Sequence, residues 1–175
     1  MGTTTVSLRE RPLDIAILAY FLFNILFITY FFDLEQIVIP NVNHFTYPAW
    51  PPPFLVNLAH WYGRSFDPLM MARPVWWRAT IWIDVLFFGP YYLAGIYAFI
   101  KGKSWIRVPS IIYASVMLTN VTIILSEEIW GPHATPALGM VVGANAAWIV
   151  FPILIIARMW REGEPFSPRE RAADA

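Results

Sequence analysis

Apolar side chains crowd four stretches of the chain, Leu13 to Phe32, Val75 to Ile100, Trp105 to Leu125 and Ala137 to Met159. A hydrocarbon core about 30 Å thick takes about 20 predominantly apolar residues per helix, so each stretch predicts a transmembrane helix. The connection between the first two, "NVNHFTYPAWPPPFLVNLAHWYGRSFDPLMMARP", follows a different pattern, dense in proline and aromatic residues. That composition predicts an ordered cap on the membrane surface. Within it "FLVNLAHWYGRSF" has apolar residues at near-helical spacing and predicts a short interfacial helix, while "PPP" predicts extended chain. The expected fold is all-α: a polytopic four-helix membrane bundle with an ordered first loop. The expected domains are a cytoplasmic N-terminus over residues 1–12, one membrane domain over 13–160 and a flexible cytoplasmic tail over 161–175.

Composition agrees, with 58% hydrophobic and 14% charged residues, a balance written for lipid. Arg9 and Arg11 precede the first span without a small-residue cleavage pattern after it, which predicts a retained helix. Val6 stands where a myristoylation signal wants Ser or Thr, so no lipid anchor is expected. Arg9, Arg11, Lys101, Lys103, Arg107, Arg158, Arg161, Arg169 and Arg171 fall on one side of an even-span bundle, against Arg64, Arg73 and Arg78 on the other. By the positive-inside rule both termini are expected in the cytoplasm. The membrane would be the endoplasmic reticulum in a eukaryote and the cytoplasmic membrane in a bacterium. No basic stripe with interleaved aromatics points to nucleic acid. With no cysteine there is no disulfide and no thiolate chemistry. His44, His60 and His133 read as loop residues, so neither a metal site nor a cofactor is expected.

The polar residues inside the spans carry the chemistry. A carboxylate in hydrocarbon costs about 3 kcal/mol on insertion scales and normally faces a cavity or a partner. Asp33 and Asp84 are each other's candidate partner, two carboxyls sharing one proton. Counted from the far end of each span, Asp33, Asp84, Asn120, Asn145 and Trp148 all fall about 8 to 17 Å deep at 1.5 Å per residue. Asn145, Trp148 and Pro152 share one helical face, and so do Asp84, Phe88 and Tyr91. Pro90 and Pro152 release the carbonyls of Leu86 and Trp148 and make room by kinking or widening their helices. The expected result is an aromatic-lined cavity for a lipophilic small molecule. Asp67 in "SFDPL" reads as a cap or a lip of that cavity, "HWY" with Tyr62 as an interfacial anchor, and Glu127 and Glu128 as solvated. Gly139, Gly143 and Ala147 form a small-residue stripe suited to a homodimer seam or to an intramolecular contact.

"FFDLEQ", "SFDPL", Asp84 six residues before Pro90, and "YAFIKGKSWIRVPSIIY" resemble the sigma-two-receptor branch of the EXPERA superfamily. "NAAWIVFP" resembles the fourth helix of the emopamil-binding sterol isomerases in the same superfamily. The resemblance implies a four-helix bundle with a cavity open toward the membrane, often a homodimer. The receptor-like pattern implies Asp33 and Asp84 as the acidic pair of a ligand pocket, Asp67 supporting its lid, and Asn120 and Trp148 lining it. The isomerase-like pattern implies Trp148 as the face that stabilises a substrate cation, Asn145 as its polar partner and Asp84 as a catalytic carboxylate. Between Asn24 and Asp33 the chain lacks the histidine and glutamate that the isomerases carry one turn apart.

Two functions follow from these residues. The first is a cofactor-independent acid/base enzyme, an isomerase, cyclase or epoxide opener, acting on a sterol-like, terpenoid or polyketide substrate. Asp33, Asp84, Trp148 and Asn145 would be catalytic, and Asp67, Asn120, Phe88, Tyr91 and Tyr62 would bind the ligand. The alternative is a non-catalytic protein that binds a sterol or lipophilic amine and serves lipid trafficking or regulation. Membrane lipids are expected partners in both.

Overall fold

The computed structural model describes residues 5–161 and 163–168, and its elements are all helical. Four long apolar helices, α1 (Pro12–Val38), α4 (Val75–Lys101), α5 (Ser104–Trp130) and α6 (Leu138–Met159), are the four predicted spans. Between α1 and α4 the first loop folds as α2 (Pro53–Phe66) and the short α3 (Pro68–Ala72). Prolines at the first turns of α1, α2 and α3 start them, because a first-turn residue has no intrahelical N–H bond to lose. Gly102, with φ of 61°, ends α4 in the left-handed conformation that favours glycine. The predicted interfacial helix is α2. His60 therefore sits on a helix and is buried, a correction to its reading as a loop residue.

Two spans are not uniform α-helix. Asn24–Asp33 in α1 and Asp84–Phe88 in α4 are wound wide, as π-helix. In α4 the cause lies just downstream: Pro90 lacks the N–H for the Leu86 carbonyl and its ring crowds that turn. A residue added to a turn rotates everything after it. Tyr91 is thereby carried off the face it would share with Asp84 in a regular helix. In α6 the helix breaks at Ala146, between Leu138–Asn145 and Ala147–Met159.

Aromatic packing holds the end of the bundle that bears the termini. Phe21 of α1 is fully buried among Tyr91, Tyr92 and Phe99 of α4 and Tyr113 of α5. Tyr113 takes part in hydroxyl hydrogen bonds with Tyr20 at 2.9 Å and with Tyr92 at 3.1 Å, so three buried phenols satisfy one another. Below them Asp14, fully buried, accepts from Arg11 at 2.8 Å and from Arg158 at 2.8 and 3.1 Å, tying α1 to α6. Both guanidiniums lie over the ring of Phe166, which is itself buried. Within the stretch expected to be a flexible tail, Phe166 is docked on the bundle. Residue 162 and residues 169–175, with Arg169 and Arg171, lie outside the described residues, as does Gly2 at the other terminus.

Gly95 decides how closely α1 and α4 approach. A Cβ at this position would lie 2.9 Å from Cε2 of Phe21, and that ring is enclosed on all sides by the other aromatics. Gly95→Ala is expected to cost about 1–3 kcal/mol through overpacking, seen as a lower thermal midpoint in detergent. An unchanged midpoint would show that the helices have slack here. Gly139 and Gly143 behave otherwise: an added Cβ at either meets nothing within 4 Å. These two glycines make no intramolecular contact and face out of the bundle, whereas Ala147, beyond the break at Ala146, packs on the core and lines the cavity.

Candidate functional site

A cavity of 620 Å³ lies among α1, α4, α5 and α6 and is covered by α2 and α3, a volume in the range of small-molecule sites. Phe23 of α1 and Ala144 of α6 both line it and are exposed, so the cavity reaches the outer surface of the bundle between these helices.

Asp33 and Asp84 meet on its wall, both buried, with their carboxyls side by side. Each sits at a boundary of a wide-turn segment, Asp33 ending one and Asp84 opening the other. Thr29, buried in the same segment of α1, donates to Asp84 Oδ1 at 2.6 Å. Trp148 lines the cavity, and its indole N–H donates to Asn24 Oδ1 at 2.8 Å. Asn24 in turn donates to the Tyr20 carbonyl at 2.8 Å. The tryptophan is therefore held at a set angle by a buried amide. Neither Asn24 nor Thr29 stands out in the sequence, because one Asn or Thr within a span ordinarily bonds a neighbouring helix.

The other expected site residues divide. Asn120, Phe88, Tyr62 and Asn145 all line the cavity, with the Asn145 amide donating to the Val141 carbonyl of its own helix at 3.0 Å. Asp67 is both cap and lip: Oδ1 accepts from the Met70 N–H at 2.8 Å to start α3, and the side chain faces the cavity. Burial raises its carboxyl above the ordinary range, and the backbone N–H groups of Met70 and Leu69 pull it partly back. Burial, with the charges of Asp67 and Glu128 next, pushes the Tyr62 hydroxyl up to about 12. Tyr91 does not line the cavity, a correction to its expected role. It lies in the core, stacked on Tyr113 at 4.2 Å between ring centroids and donating to Ser110 at 2.9 Å. The wide turn after Asp84 put it there. Glu128 is the opposite correction: read as solvated, it is 1% exposed and faces the cavity beside Asp67. Glu127 alone turns outward, its Oε1 2.6 Å from Nδ1 of His133.

The cover of the cavity is fastened by buried ions. Glu35, two residues beyond the wide-turn segment of α1, accepts from Arg73 Nη2 at 3.0 and 2.8 Å and lies 2.8 Å from His60 Nε2. Arg73 also donates to the carbonyls of Met70 and Ile39. Burial lowers the Arg73 guanidinium, and the Glu35 charge raises it again. Its φ of 47° is the left-handed conformation that costs a non-glycine residue about 1 kcal/mol or more. A glycine would adopt it freely, so an arginine stands here for its guanidinium. Trp77 donates to Gln36 Oε1 at 2.6 Å and closes the same wall.

Four membrane-length helices around a buried, acid-lined cavity define an integral membrane protein that can enclose a small lipophilic molecule. The family model described as EBP: EXPERA (EXPanded EBP superfamily) matches residues 54–159, and the chain belongs to this superfamily. It is 27% identical over 163 residues to Sigma intracellular receptor 2 of Xenopus tropicalis, a match covering 87% of this chain and 88% of the relative. Sigma intracellular receptor 2 of Homo sapiens is 38% identical over 101 residues, 57% of this chain and 53% of the relative, so that match spans about half the relative's length.

Proposed function

We propose that this chain is a cofactor-independent acid/base enzyme that isomerises, cyclises or opens the epoxide of a sterol-like, terpenoid or polyketide substrate within the membrane. The observation that carries the reading is the meeting of Asp33 and Asp84 on the wall of a cavity that Trp148 also lines. Donation by Thr29 suits Asp84 to the role of acceptor and leaves the proton of the pair on Asp33. Asp33 gives that proton to an alkene carbon or an epoxide oxygen. The cation that results lies against the indole of Trp148, held by Asn24, which stabilises it. Asp84 removes a proton from the neighbouring carbon and a new double bond forms. One proton has entered and one has left, and its return from Asp84 to Asp33 restores the pair. Asn145, Asn120, Phe88, Tyr62 and Asp67 shape the cavity and orient the substrate.

The name of the relatives favours a second reading, in which the cavity binds a sterol or a lipophilic amine, its ammonium against an ionised Asp33, without turnover. Purified protein in lipid nanodiscs, incubated in heavy water with candidate sterols, terpenoid alkenes and epoxides, separates the two. The enzyme yields an isomeric product carrying deuterium at the protonated carbon, detected by mass spectrometry. Binding across the panel with no product assigns the cavity to the second reading.

The basic residues at the end bearing the termini support a cytoplasmic placement of both termini. The endoplasmic reticulum, or the cytoplasmic membrane of a bacterium, is the matching location. The outward small-residue stripe of Gly139 and Gly143 supports a homodimer through α6.

A further inference from the structure

We propose that Glu128 and Asp67 form a second polar subsite at the loop-bearing end of the cavity. It takes a hydrogen-bond donor carried at the far end of an elongated lipophilic ligand whose other end meets Asp33 and Asp84. The inference rests on the reading of the cavity as a ligand site and adds the shape and chemistry of its occupant.

Glu128 is 1% exposed, and neither of its carboxyl oxygens has a hydrogen-bond partner among the described residues. A buried carboxyl without partners is expensive, and the group lines a cavity large enough to admit one. Its acidic neighbour Asp67 commits Oδ1 to the Met70 N–H, and the Tyr62 hydroxyl beside them stays neutral, its pKa pushed up to about 12. No Lys, Arg or His lines the cavity among the described residues. Glu128 and Asp67 are close enough to share one proton, and a positive or hydrogen-bond-donating counterpart for the charge that remains comes from the ligand.

Length follows from α5. Met117, Asn120, Val121, Ile124 and Glu128 form one cavity-facing stripe, and the eight residues from Asn120 to Glu128 rise about 12 Å. The facing stripe of α4 runs from Trp77 to Phe88 and includes Asp84, about 16 Å of helix. The space is a slot with acids at two levels and apolar walls between. It fits a two-ended molecule, with an amine or hydroxyl at each end, better than a molecule with one polar head.

The test uses straight-chain alkylamines of increasing length, with the α,ω-diamine and the ω-amino alcohol of each length, titrated into the full chain in nanodiscs. At one chain length a two-ended probe is expected to bind about tenfold or more tighter than the monoamine, the size of one hydrogen bond to a charged group. In Glu128→Leu, which leaves no acceptor at this position, that ratio is expected to fall to about one, and in Glu127→Gln, whose side chain lies outside the cavity, to persist. Thermal midpoints establish that both variants fold, and Glu128→Gln, whose amide oxygen still accepts a hydrogen bond without the charge, is expected to give a ratio between the two. A ratio near one at every length for both kinds of two-ended probe in the native protein overturns the subsite, as does a ratio that survives Glu128→Leu. Monoamine binding that Asp33→Asn abolishes reports the first acid pair separately. Failure of all amines to bind therefore counts against the cavity as a ligand site, and monoamine binding without the two-ended gain counts against the subsite alone.

Discussion

Under the proposed acid/base mechanism, Asp84→Asn is expected to cut turnover by about 100-fold to 10,000-fold, the range that positioned general acid/base groups contribute, while the protein folds and binds as before. The substitution is nearly isosteric, and its amide oxygen can still accept from Thr29, so the hydrogen bond at 2.6 Å survives. What disappears is a group able to take a proton from the substrate and return it to Asp33. Asp33→Asn is expected to fall as far, since an amide cannot donate the acidic proton, and the double variant to fall little further because the two carboxyls act as one unit. Thr29→Val keeps both acids and removes only the donor; a loss of about tenfold, one charged hydrogen bond, is the expected scale. Initial rates by mass spectrometry, with thermal midpoints and ligand affinities beside them, make the measurement. Native turnover in Asp84→Asn would remove the acid pair from the mechanism.

The second large effect concerns stability. Glu35→Ala is expected to cost about 3–5 kcal/mol, because it leaves the Arg73 guanidinium buried without its carboxylate. In the native protein Glu35 receives two N–H bonds from Arg73 and lies against His60, all three buried. These contacts join the end of α1 to α2 and to the turn after α3, which together cover the cavity. For a chain of this size the loss corresponds to a fall in thermal midpoint of about 10 °C. Amide hydrogen exchange is expected to rise first in α2 and α3, with the aromatic core around Phe21 protected until global unfolding. The double variant Glu35→Ala with Arg73→Gly is expected to lose less than the two single losses combined, since no charge is stranded and glycine adopts the left-handed backbone of position 73. A midpoint shift of only a degree or two in Glu35→Ala would mean that packing alone holds the cover.

These two effects mark where sequence reading stops. The four spans were legible because membrane burial imposes a long, low-resolution pattern, about 20 apolar residues in a row, although α1 and α5 run past the predicted Phe32 and Leu125 to Val38 and Trp130. The acid pair was legible for a related reason, a carboxylate in a span being too costly to lack a purpose. Asn120 followed from its depth in the span, and Phe88 and Trp148 from spacings of three or four residues, too short for the wide turn in α4 or the break at Ala146 to carry them off the cavity. Tyr91 did not, because spacing carried across the wide turn at Asp84–Phe88 gives the wrong face. Glu128 and its neighbour Glu127 look alike in sequence, and only the tertiary structure sets one against the cavity beside Asp67 and leaves the other half-buried against His133.

By itself, then, the chain determined its solvent, its helices and the presence of two acids within them, since each depends on composition or on periodicity along one segment. The tertiary structure decided that Asn24 holds Trp148, that Thr29 serves Asp84, that Glu35, His60 and Arg73 fasten the cover, and that the cavity carries acids at two levels. Those pairings join residues from 25 to 124 positions apart. The physical reason is that a hydrogen bond between two helices depends on how each is rotated about its axis, and that rotation is settled only when all the helices pack together.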